Sequence, residues 1–380
     1  MLIKKAVFLT PSIKIALFVI LNCVVLPNFA QNTSSQSMGP GGAGGLSSPA
    51  GSVNSANTPN VLYGSNASNA SNASNASNAS NWPIKPIRLI VGFAPGGGTD
   101  IVARALAPKL SEILGQSVII DNKTGAAGTI AADFVAKAPA DGYTLLMGHS
   151  NSNAIAPFVL PKVPYNPSTD FTCITYLGYV PNVLVVNAAL PVNTVAELTA
   201  MAKAKPDALS YGSSGLGSTQ HLTGALFAQT MGVSLNHVPY KGSGQAIIDL
   251  LANQITMNFD TLPPNLEQIK KGSLKALAVS TPKRLPMLPS VPTFNEVGLN
   301  NFDITNWYAL MGPKDMNPHL VALIDKATKQ AMADPSVKKT LDSQGLQSEG
   351  PSSPAALKTL LGAEIAKYQK LLKSLDIKAD

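Results

Sequence analysis

A short apolar run, a glycine-rich loop and an amphipathic helix follow one another from residue 88. The run 88–93 has the nearly unbroken apolar character of a buried parallel strand. The loop 95–100 comes next, and apolar residues then recur at helical spacing up to Leu114, before Gly115. The pattern predicts a strand, a loop and a helix in that order.

The same unit recurs along the chain as far as residue 279. Further apolar runs predict strands at 118–120, 143–147, 209–211, 237–240, 255–259 and 274–279. Helical patterns follow several of these runs, and two more helices are predicted near 317–333 and 353–374. Alternating strands and helices imply the α/β class, with a parallel sheet covered by helices on both faces.

Two other apolar runs are predicted to cross between two lobes. The run 183–186 precedes a new series of units, and the run 307–311 precedes the last helices. The predicted organisation is a first lobe of residues 82–186 and 309–380, a second lobe of residues 187–308, and a two-strand hinge. Ligand crevices in such sheets lie at the carboxyl ends of the strands, which is where the glycine-rich loops fall.

The first 81 residues have the features of an export signal and a tether. Residues 1–31 combine two early lysines with an apolar run at 15–26, which is too short for a comfortable membrane span. Residues 32–81 are rich in Gly, Ser, Asn and Ala and predict a disordered linker. We therefore expect an exported protein, with lipid attachment at Cys23 as an alternative.

The composition excludes several classes of function. The chain has 28 basic and 21 acidic residues, but its first 81 residues hold three lysines and no acid, which leaves 25 − 21 = +4 for the rest. Its three arginines, Arg88, Arg104 and Arg284, are too scattered for a nucleic-acid surface. Two cysteines, Cys23 and Cys173, and four histidines without a Cys/His cluster predict neither a disulfide scaffold nor a structural zinc site.

Sequence motifs for enzymes are incomplete. The glycines at 96–98 are not a dinucleotide fingerprint, because the third glycine of G-x-G-x-x-G would fall at Ile101. Residues 148–152 resemble a nucleophile elbow, but Ser152 stands where G-x-S-x-G needs glycine. A secreted serine hydrolase stays open as an alternative, for which the later part of the chain would supply the acid and the histidine. The candidates for these two roles are Asp260, His221 and His237.

Two glycine-rich loops precede helices and favour an anion site between the lobes. Helix N-termini offer unpaired N–H groups, and glycine lets a ligand approach them closely. The loops at 96–100 and 213–218 fit this use, although ordinary tight turns give the same pattern. Asp100, His221 and Lys241 can each be a ligand contact or a structural residue. Since no arginine falls in these loops, backbone N–H groups, hydroxyls and water would hold a carboxylate.

Several separated motifs, each weak alone, together resemble one family. They are PGGGTD at 95–100, DNKTGAAG at 121–128, ADGYTLL at 140–146, YGSSGLGS at 211–218, HVPYKG at 237–242 and LPSVPT at 288–293. In this order they resemble the Bug-type extracytoplasmic solute receptors, the substrate-binding proteins of tripartite tricarboxylate transporters. The resemblance runs from about residue 82 to about residue 376. Thr124 departs from it, since the family usually has proline there.

The resemblance implies a periplasmic binding protein-like fold, in which two α/β lobes close over one ligand. It implies no enzymatic activity, no cofactor and no metal. The implied ligand is a small carboxylate, and the implied partner is the membrane permease of a tripartite tricarboxylate transporter. The protein would be a monomer in the periplasm. A ligand sensor that feeds a two-component system stays open as an alternative.

The family's carboxylate contacts can be carried over to matching positions of this chain. They fall in the first loop, after the third strand, in the Ser/Gly loop of the second lobe, and at the ends of two later strands. The residues are Phe93, Gly97, Gly98, Thr99, Asp100, Ser150, Asn151, Ser213, Ser214, Gly217, Ser218, Tyr240 and Asp260. The identity of the carboxylate depends on cleft side chains that these motifs do not fix.

Overall fold

Ten strands and nine α-helices form two lobes in the described part of the chain. The computed structural model describes residues 81–302 and 304–377, so the predicted signal peptide, Cys23 and all but the last residue of the predicted linker lie outside it. The strands are β1 (Ile87–Val91), β2 (Val118–Asn122), β3 (Thr144–His149), β4 (Phe171–Val180), β5 (Asn182–Asn187), β6 (Ser210–Ser213), β7 (Asn236–Pro239), β8 (Met257–Thr261), β9 (Leu274–Val279) and β10 (Asn306–Pro313). The helices are α1 (Gly98–Leu114), α2 (Thr129–Ala136), α3 (Val195–Ala204), α4 (Thr219–Met231), α5 (Ser243–Leu251), α6 (Leu262–Lys270), α7 (Pro318–Ala333), α8 (Pro335–Ser343) and α9 (Pro354–Leu375).

Both sheets are mixed, so the prediction of a parallel sheet holds only in part. The first sheet has the order β2-β1-β3-β10-β4, and the second has the order β7-β6-β8-β5-β9. Strands joined through helices run parallel, as β1 does with β2 and β3. The strand that arrives from the other lobe runs antiparallel to its neighbours, as β10 does in the first sheet and β5 in the second. Such a strand is not delivered by a βαβ crossover, so the parallel rule does not apply to it.

Each sheet is covered by apolar side chains on both faces, which explains the unbroken apolar runs. In β1, Leu89 and Val91 pack towards α1, α7 and α8, whereas Ile90 packs towards α2 and α9. In β5, Leu184 faces α3 and α4, and Val185 faces α5 and α6. All five side chains are almost fully buried. Burial of a side chain of this size contributes about 1.5–3 kcal/mol, so these layers fix the position of the strand ends.

The chain crosses between the lobes at two places that lie side by side. It leaves β4 at Val180 and enters the second sheet at Asn182, upstream of the predicted boundary at 186/187. It returns into β10 at Asn306, upstream of the predicted boundary at 308/309. The Asn306 Nδ2 donates a 2.5 Å hydrogen bond to Asn182 Oδ1, which joins the two crossings. Each crossing strand therefore belongs to the sheet that it enters.

The predicted elements leave out one strand and three helices. The missing strand is β4, whose burial does not follow a simple alternation, and the missing helices are α3, α6 and α8. The short helix α8 follows α7 directly, with Asp334 as its cap. None of the helices in residues 81–302 and 304–377 has the length and hydropathy needed to cross a membrane.

Candidate functional site

The two lobes enclose a small cavity at the carboxyl ends of their strands. Its volume is about 10 Å³, which is room for about one water molecule. No lysine, arginine, aspartate or glutamate side chain is among the residues that line it. The lining residues are Phe93, Gly97, Gly98, Thr99, His149, Asn151, Ser214, Gln220, Ser243, Thr261 and Tyr308.

Four helices direct their N-terminal ends at this cavity. Gly98 and Ser243 are the first residues of α1 and α5, Gln220 is the second residue of α4, and Thr261 is the N-cap of α6. Helix α1 has no side-chain cap, because its N-cap residue is Gly97. Helix N-termini carry a partial positive charge and unpaired N–H groups. These helix ends therefore contribute partial positive charge to a cavity that no cationic side chain lines.

The first lobe contributes two buried rings with hydrogen-bond donors. His149 lies between the rings of Phe93 and Tyr308, at centroid distances of 5.0 and 5.1 Å. Burial lowers the pKa of His149 to about 3, so the ring is neutral near pH 7. Its Nδ1 accepts the backbone N–H of Asn151 at 2.9 Å, which places the ring proton on Nε2. Burial also raises the pKa of Tyr308, an interaction with the Thr99 hydroxyl offsets part of the rise, and the Tyr308 hydroxyl has no other hydrogen-bond partner among the described residues.

From the second lobe, Gln220, Ser243 and Thr261 line the cavity, and each is hydrogen-bonded to the buried Asp260. Oδ1 of Asp260 accepts hydrogen bonds from Ser243 Oγ at 2.6 Å and from Gln220 Nε2 at 3.1 Å. The same oxygen accepts the backbone N–H of Thr261 at 2.7 Å, and Oδ2 accepts Asn265 Nδ2 at 3.0 Å. Burial of the carboxylate raises the pKa of Asp260, and these hydrogen bonds offset part of the rise. Asp260 itself does not line the cavity.

Asn151 connects the lobes at the edge of the cavity. It extends from the first lobe, and its Oδ1 accepts the backbone N–H of Thr219, at the start of α4 in the second lobe, at 2.9 Å. Its Nδ2 donates to Ser214 Oγ at 3.3 Å. Asn151 is fully buried. The Thr219 N–H at the start of α4 is thus hydrogen-bonded to a first-lobe side chain when the lobes are in contact.

Glycines of the second lobe let the two backbones approach each other. A Cβ at Gly217 would lie 2.9 Å from the Cα of Ala156, and a Cβ at Gly242 would lie 3.0 Å from the backbone nitrogen of Ala94. Both glycines have a positive φ. At Gly98, a Cβ would lie 2.7 Å from Thr261 Oγ1, across the cavity. Larger residues at these positions would hold the lobes apart.

Six of the residues carried over from the family line the cavity, and seven lie outside its lining. The six are Phe93, Gly97, Gly98, Thr99, Asn151 and Ser214. The seven are Asp100, Ser150, Ser213, Gly217, Ser218, Tyr240 and Asp260. As ligand contacts, all thirteen stay predictions.

The first-lobe residues outside the lining are engaged within their own lobe. Asp100 accepts hydrogen bonds from the N–H of Gly96 at 3.0 Å, from Arg104 Nε at 2.8 Å and from Asn122 Nδ2 at 2.9 Å. Burial raises the pKa of Asp100, but the hydrogen bonds, led by that of Arg104, outweigh burial and lower it. Asp100 therefore fixes the shape of the first loop. Ser150 is fully buried, with its Oγ 3.4 Å from His149 Nδ1.

Second-lobe residues outside the lining are also paired. Ser213 Oγ lies 2.6 Å from His237 Nε2, and Ser218 Oγ caps α4 by accepting the N–H of His221 at 3.2 Å. The Tyr240 hydroxyl donates to Asp249 Oδ2 at 2.7 Å. The hydroxyls of these residues thus support the loops that carry the lining residues.

Five lining residues were missed by sequence reasoning. They are His149, Gln220, Ser243, Thr261 and Tyr308. Four of them lie where a strand is followed by a helix, within three residues of positions that were predicted. That position could have identified them. Tyr308 comes from the interior of β10 and carries no comparable signal.

The geometry does not support nucleophilic catalysis at the sequence 148–152. The Nδ1 of His149 is occupied by the N–H of Asn151, so it does not serve as a base for Ser150. The other histidines proposed for a hydrolase, His221 and His237, stack on each other at a centroid distance of 4.2 Å, and neither lines the cavity.

The comparison with known families decides the identification. The model of the tripartite tricarboxylate transporter family receptor matches residues 102–377. The chain belongs to this family. Among relatives of this receptor, BugT of Bordetella pertussis is 38% identical over 265 residues, which is 70% of this chain and 81% of BugT. The resemblance to Bug-type receptors is therefore confirmed, and the protein is a solute-binding receptor rather than an enzyme.

Solved structures of similar receptors confirm the two-lobed α/β fold. The R. palustris protein Rpa4515, solved with adipate, is 37% identical with a TM-score of 0.76, and the match covers 78% of this chain and 99% of that protein. MatC from Rhodopseudomonas palustris, solved with bound malate, is 30% identical with a TM-score of 0.73, and the match covers 77% of this chain and all of that protein. The family is one of periplasmic receptors.

Proposed function

We propose that this receptor captures a small carboxylate in the cavity between its lobes and delivers it to a tripartite tricarboxylate-type permease. The observation that carries the proposal is the convergence of four helix N-termini on a cavity without charged side chains. A carboxylate is small, planar and anionic, and it accepts several hydrogen bonds at once. N–H groups at helix N-termini bind such anions without a cationic partner.

Neutral donors add to this electropositive end. The Tyr308 hydroxyl is buried with no partner other than the Thr99 hydroxyl among the described residues, and His149 carries its proton on Nε2. A buried hydroxyl that does not donate destabilises the closed form, and a carboxylate would accept its hydrogen. The adipate and malate bound by two similar receptors are carboxylates of this kind.

Capture requires the lobes to separate and close again. A cavity of about 10 Å³ admits about one water molecule, so a carboxylate of several atoms enters only when the lobes move apart. We propose the crossings near Asn182 and Asn306 as the hinge, because these segments join the two sheets in the described part of the chain. Ligand binding would then stabilise the form in which Asn151 reaches Thr219.

The proposed setting is the periplasm, reached through the predicted signal peptide at 1–31. Residues 32–81 would connect the lobes to a lipid anchor if Cys23 were lipidated. We propose that the receptor acts as a monomer that presents its closed form to the permease. Ligand uptake into membrane vesicles that contain the permease should then depend on added receptor.

Thermal unfolding of the full chain with a panel of acids tests carboxylate capture. The panel contains citrate, malate, succinate, aspartate, glutamate and nicotinate, and neutral amides of the same acids serve as controls. A ligand at one hundred times its Kd stabilises the native state by about 2.7 kcal/mol, which gives a clear rise in Tm. We expect at least one acid, and none of its amides, to raise the Tm. Absence of a rise with every acid, for protein shown by mass spectrometry to be ligand-free, would refute the proposal.

A further inference from the structure

Ser243 lines the cavity, and its hydroxyl donates its hydrogen to Asp260, which does not line the cavity. The Ser243 Oγ donates to Oδ1 of Asp260 at 2.6 Å, and the same carboxylate oxygen accepts the backbone N–H of Thr261, which can only donate. A serine hydroxyl has one hydrogen, so donation to Asp260 uses it. Since Ser243 also lines the cavity, the remaining lone pairs of its oxygen are what a ligand would meet there.

The surroundings of Asp260 fix this orientation. Its Oδ1 accepts two N–H groups, from Gln220 Nε2 at 3.1 Å and from the Thr261 backbone at 2.7 Å, and its Oδ2 accepts Asn265 Nδ2 at 3.0 Å. The backbone N–H of Thr261 cannot reverse and accept, so Oδ1 is held as an acceptor. The Thr261 hydroxyl is also turned towards Oδ1, at 3.5 Å. Asp260 thus orients the hydroxyl hydrogens of Ser243 and Thr261 away from the cavity.

The Ser243 oxygen is an acceptor among donors, because α4, α5 and α6 of the same lobe also begin at the cavity. The first lobe offers the uncapped N-terminus of α1 at Gly98, the Tyr308 hydroxyl and the Nε2 proton of His149, all of which donate. A carboxylate is satisfied on this side. The part of the ligand that faces Ser243 must then bring a hydrogen of its own, or the Ser243 lone pair is buried without a partner.

We propose that Ser243 is a specificity-determining residue, positioned by Asp260, that selects acids with a hydrogen-bond donor next to the carboxylate. The inference rests on the proposed function. Gly98 and Ser243 line the same cavity, so neighbouring atoms of one small acid can contact both. The class selected is that of 2-hydroxy and 2-amino acids, in preference to acids of the same length without the donor.

Pairs of acids that differ by one donor test the inference on the full chain. The pairs are malate and succinate (both enantiomers of malate), lactate and propionate, and glutamate and glutarate, measured by isothermal titration calorimetry. In each pair that binds, we expect the acid with the donor to bind about tenfold more tightly or better, because sites built for a hydrogen bond reject analogues that lack it. Equal or tighter binding of the acid without the donor would overturn the inference alone. Binding of no acid at all would overturn the proposed function, and this inference with it.

Two variants separate the serine from the carboxylate charge. In Asp260→Asn, the N–H groups of Gln220 and Thr261 keep the amide oxygen at the Oδ1 position, so Ser243 still donates to it. The new amide nitrogen then faces Asn265, whose Oδ1 has no partner and can accept after that side chain turns over. We expect Asp260→Asn to keep the preference for the donor-bearing acid.

The second variant adds Ser243→Ala to Asp260→Asn, so that no buried charge loses its partner. We expect this double variant to bind both acids of a pair within about twofold of each other. A preference of about tenfold that persists without the Ser243 hydroxyl would overturn the inference. Loss of the preference in folded Asp260→Asn would also overturn it, because the selection would then come from the charge. Circular dichroism and Tm show that each variant is folded.

Discussion

Asn151 stabilises the closed form through two hydrogen bonds to the second lobe, and its removal should weaken ligand binding. In Asn151→Ala, the buried N–H of Thr219 and the Ser214 hydroxyl lose contacts of 2.9 and 3.3 Å. A neutral hydrogen bond contributes about 0.5–1.5 kcal/mol net, so the closed form should lose about 2 kcal/mol. Water replaces these contacts in the open form. If the ligand-free protein is mainly open, the Kd should rise about 30-fold.

The assay compares the Kd and the free energy of unfolding for two asparagine variants. Asn187 is also buried, but it bonds only within the second lobe: its Nδ2 donates to the carbonyls of Leu250 and Leu251, and its Oδ1 accepts the N–H of Ala189. Asn187→Ala should lower the free energy of unfolding by about 2 kcal/mol and leave the Kd of the remaining native protein unchanged. Asn151→Ala should instead raise the Kd and leave the free energy of unfolding of the ligand-free protein nearly unchanged.

One outcome of this comparison would refute the proposed role of Asn151 in closure. If Asn151→Ala lowers the free energy of unfolding of the ligand-free protein as much as Asn187→Ala does, and leaves the Kd within about twofold, the contacts of Asn151 do not drive closure. Small-angle scattering gives an independent check. Ligand-saturated parent protein should be more compact than ligand-free protein, and Asn151→Ala should need more ligand to reach the same compaction.

Two further predictions concern closure and pH. Gly217→Ala places a Cβ 2.9 Å from the Cα of Ala156 in the first lobe, so it should prevent the ligand-induced compaction seen by small-angle scattering. The control Gly232→Ala has a similar positive φ but nothing within 4 Å of the added Cβ, so it should compact like the parent protein. Equal compaction of the two variants would contradict the role of Gly217. Burial lowers the pKa of three histidines to about 3 or 4, well below the unfolded value of about 6.5. The unfolded chain therefore binds more protons between pH 6.5 and 4, and the free energy of unfolding in urea should fall with pH by up to about 1.4 kcal/mol per unit for each histidine. Asp260, with its raised pKa, acts in the opposite sense but is a single group, so constant stability between pH 7 and 5 would contradict the prediction. The histidines are His149, His221 and His237.

The sequence was most informative where burial on both faces of a sheet leaves an unbroken apolar run. The runs that became β1, β3 and β9 were predicted for this reason. The direction of β5 and β10 was not predictable in the same way, because it depends on which lobe the chain has just left. Local pattern defines a strand, but its neighbours in the sheet are chosen by tertiary packing.

For the cavity, the sequence located the loops but not the orientation of their side chains. Asp100 and Ser214 both lie in predicted loops, yet Asp100 turns back to Arg104 and the first loop, while Ser214 lines the cavity. Ser243 stands beside the HVPYKG motif but is separated from Asp260 by 17 residues. Such pairings between loops of different strands cannot be read from spacing along one loop.

A buried carboxylate beside the proposed carboxylate site is at first sight a contradiction. If a ligand carboxylate lay about 5 Å from Asp260, the repulsion at an effective dielectric constant of about 20 would be about 3 kcal/mol. Four helix N-termini supply the compensating positive potential, and Asp260 has a structural task that a neutral apolar residue could not perform. It holds Gln220, Ser243 and Thr261 in fixed orientations within the second-lobe wall. In a cavity with no charged lining, the directions of individual hydrogen bonds are what remains to distinguish one small acid from another.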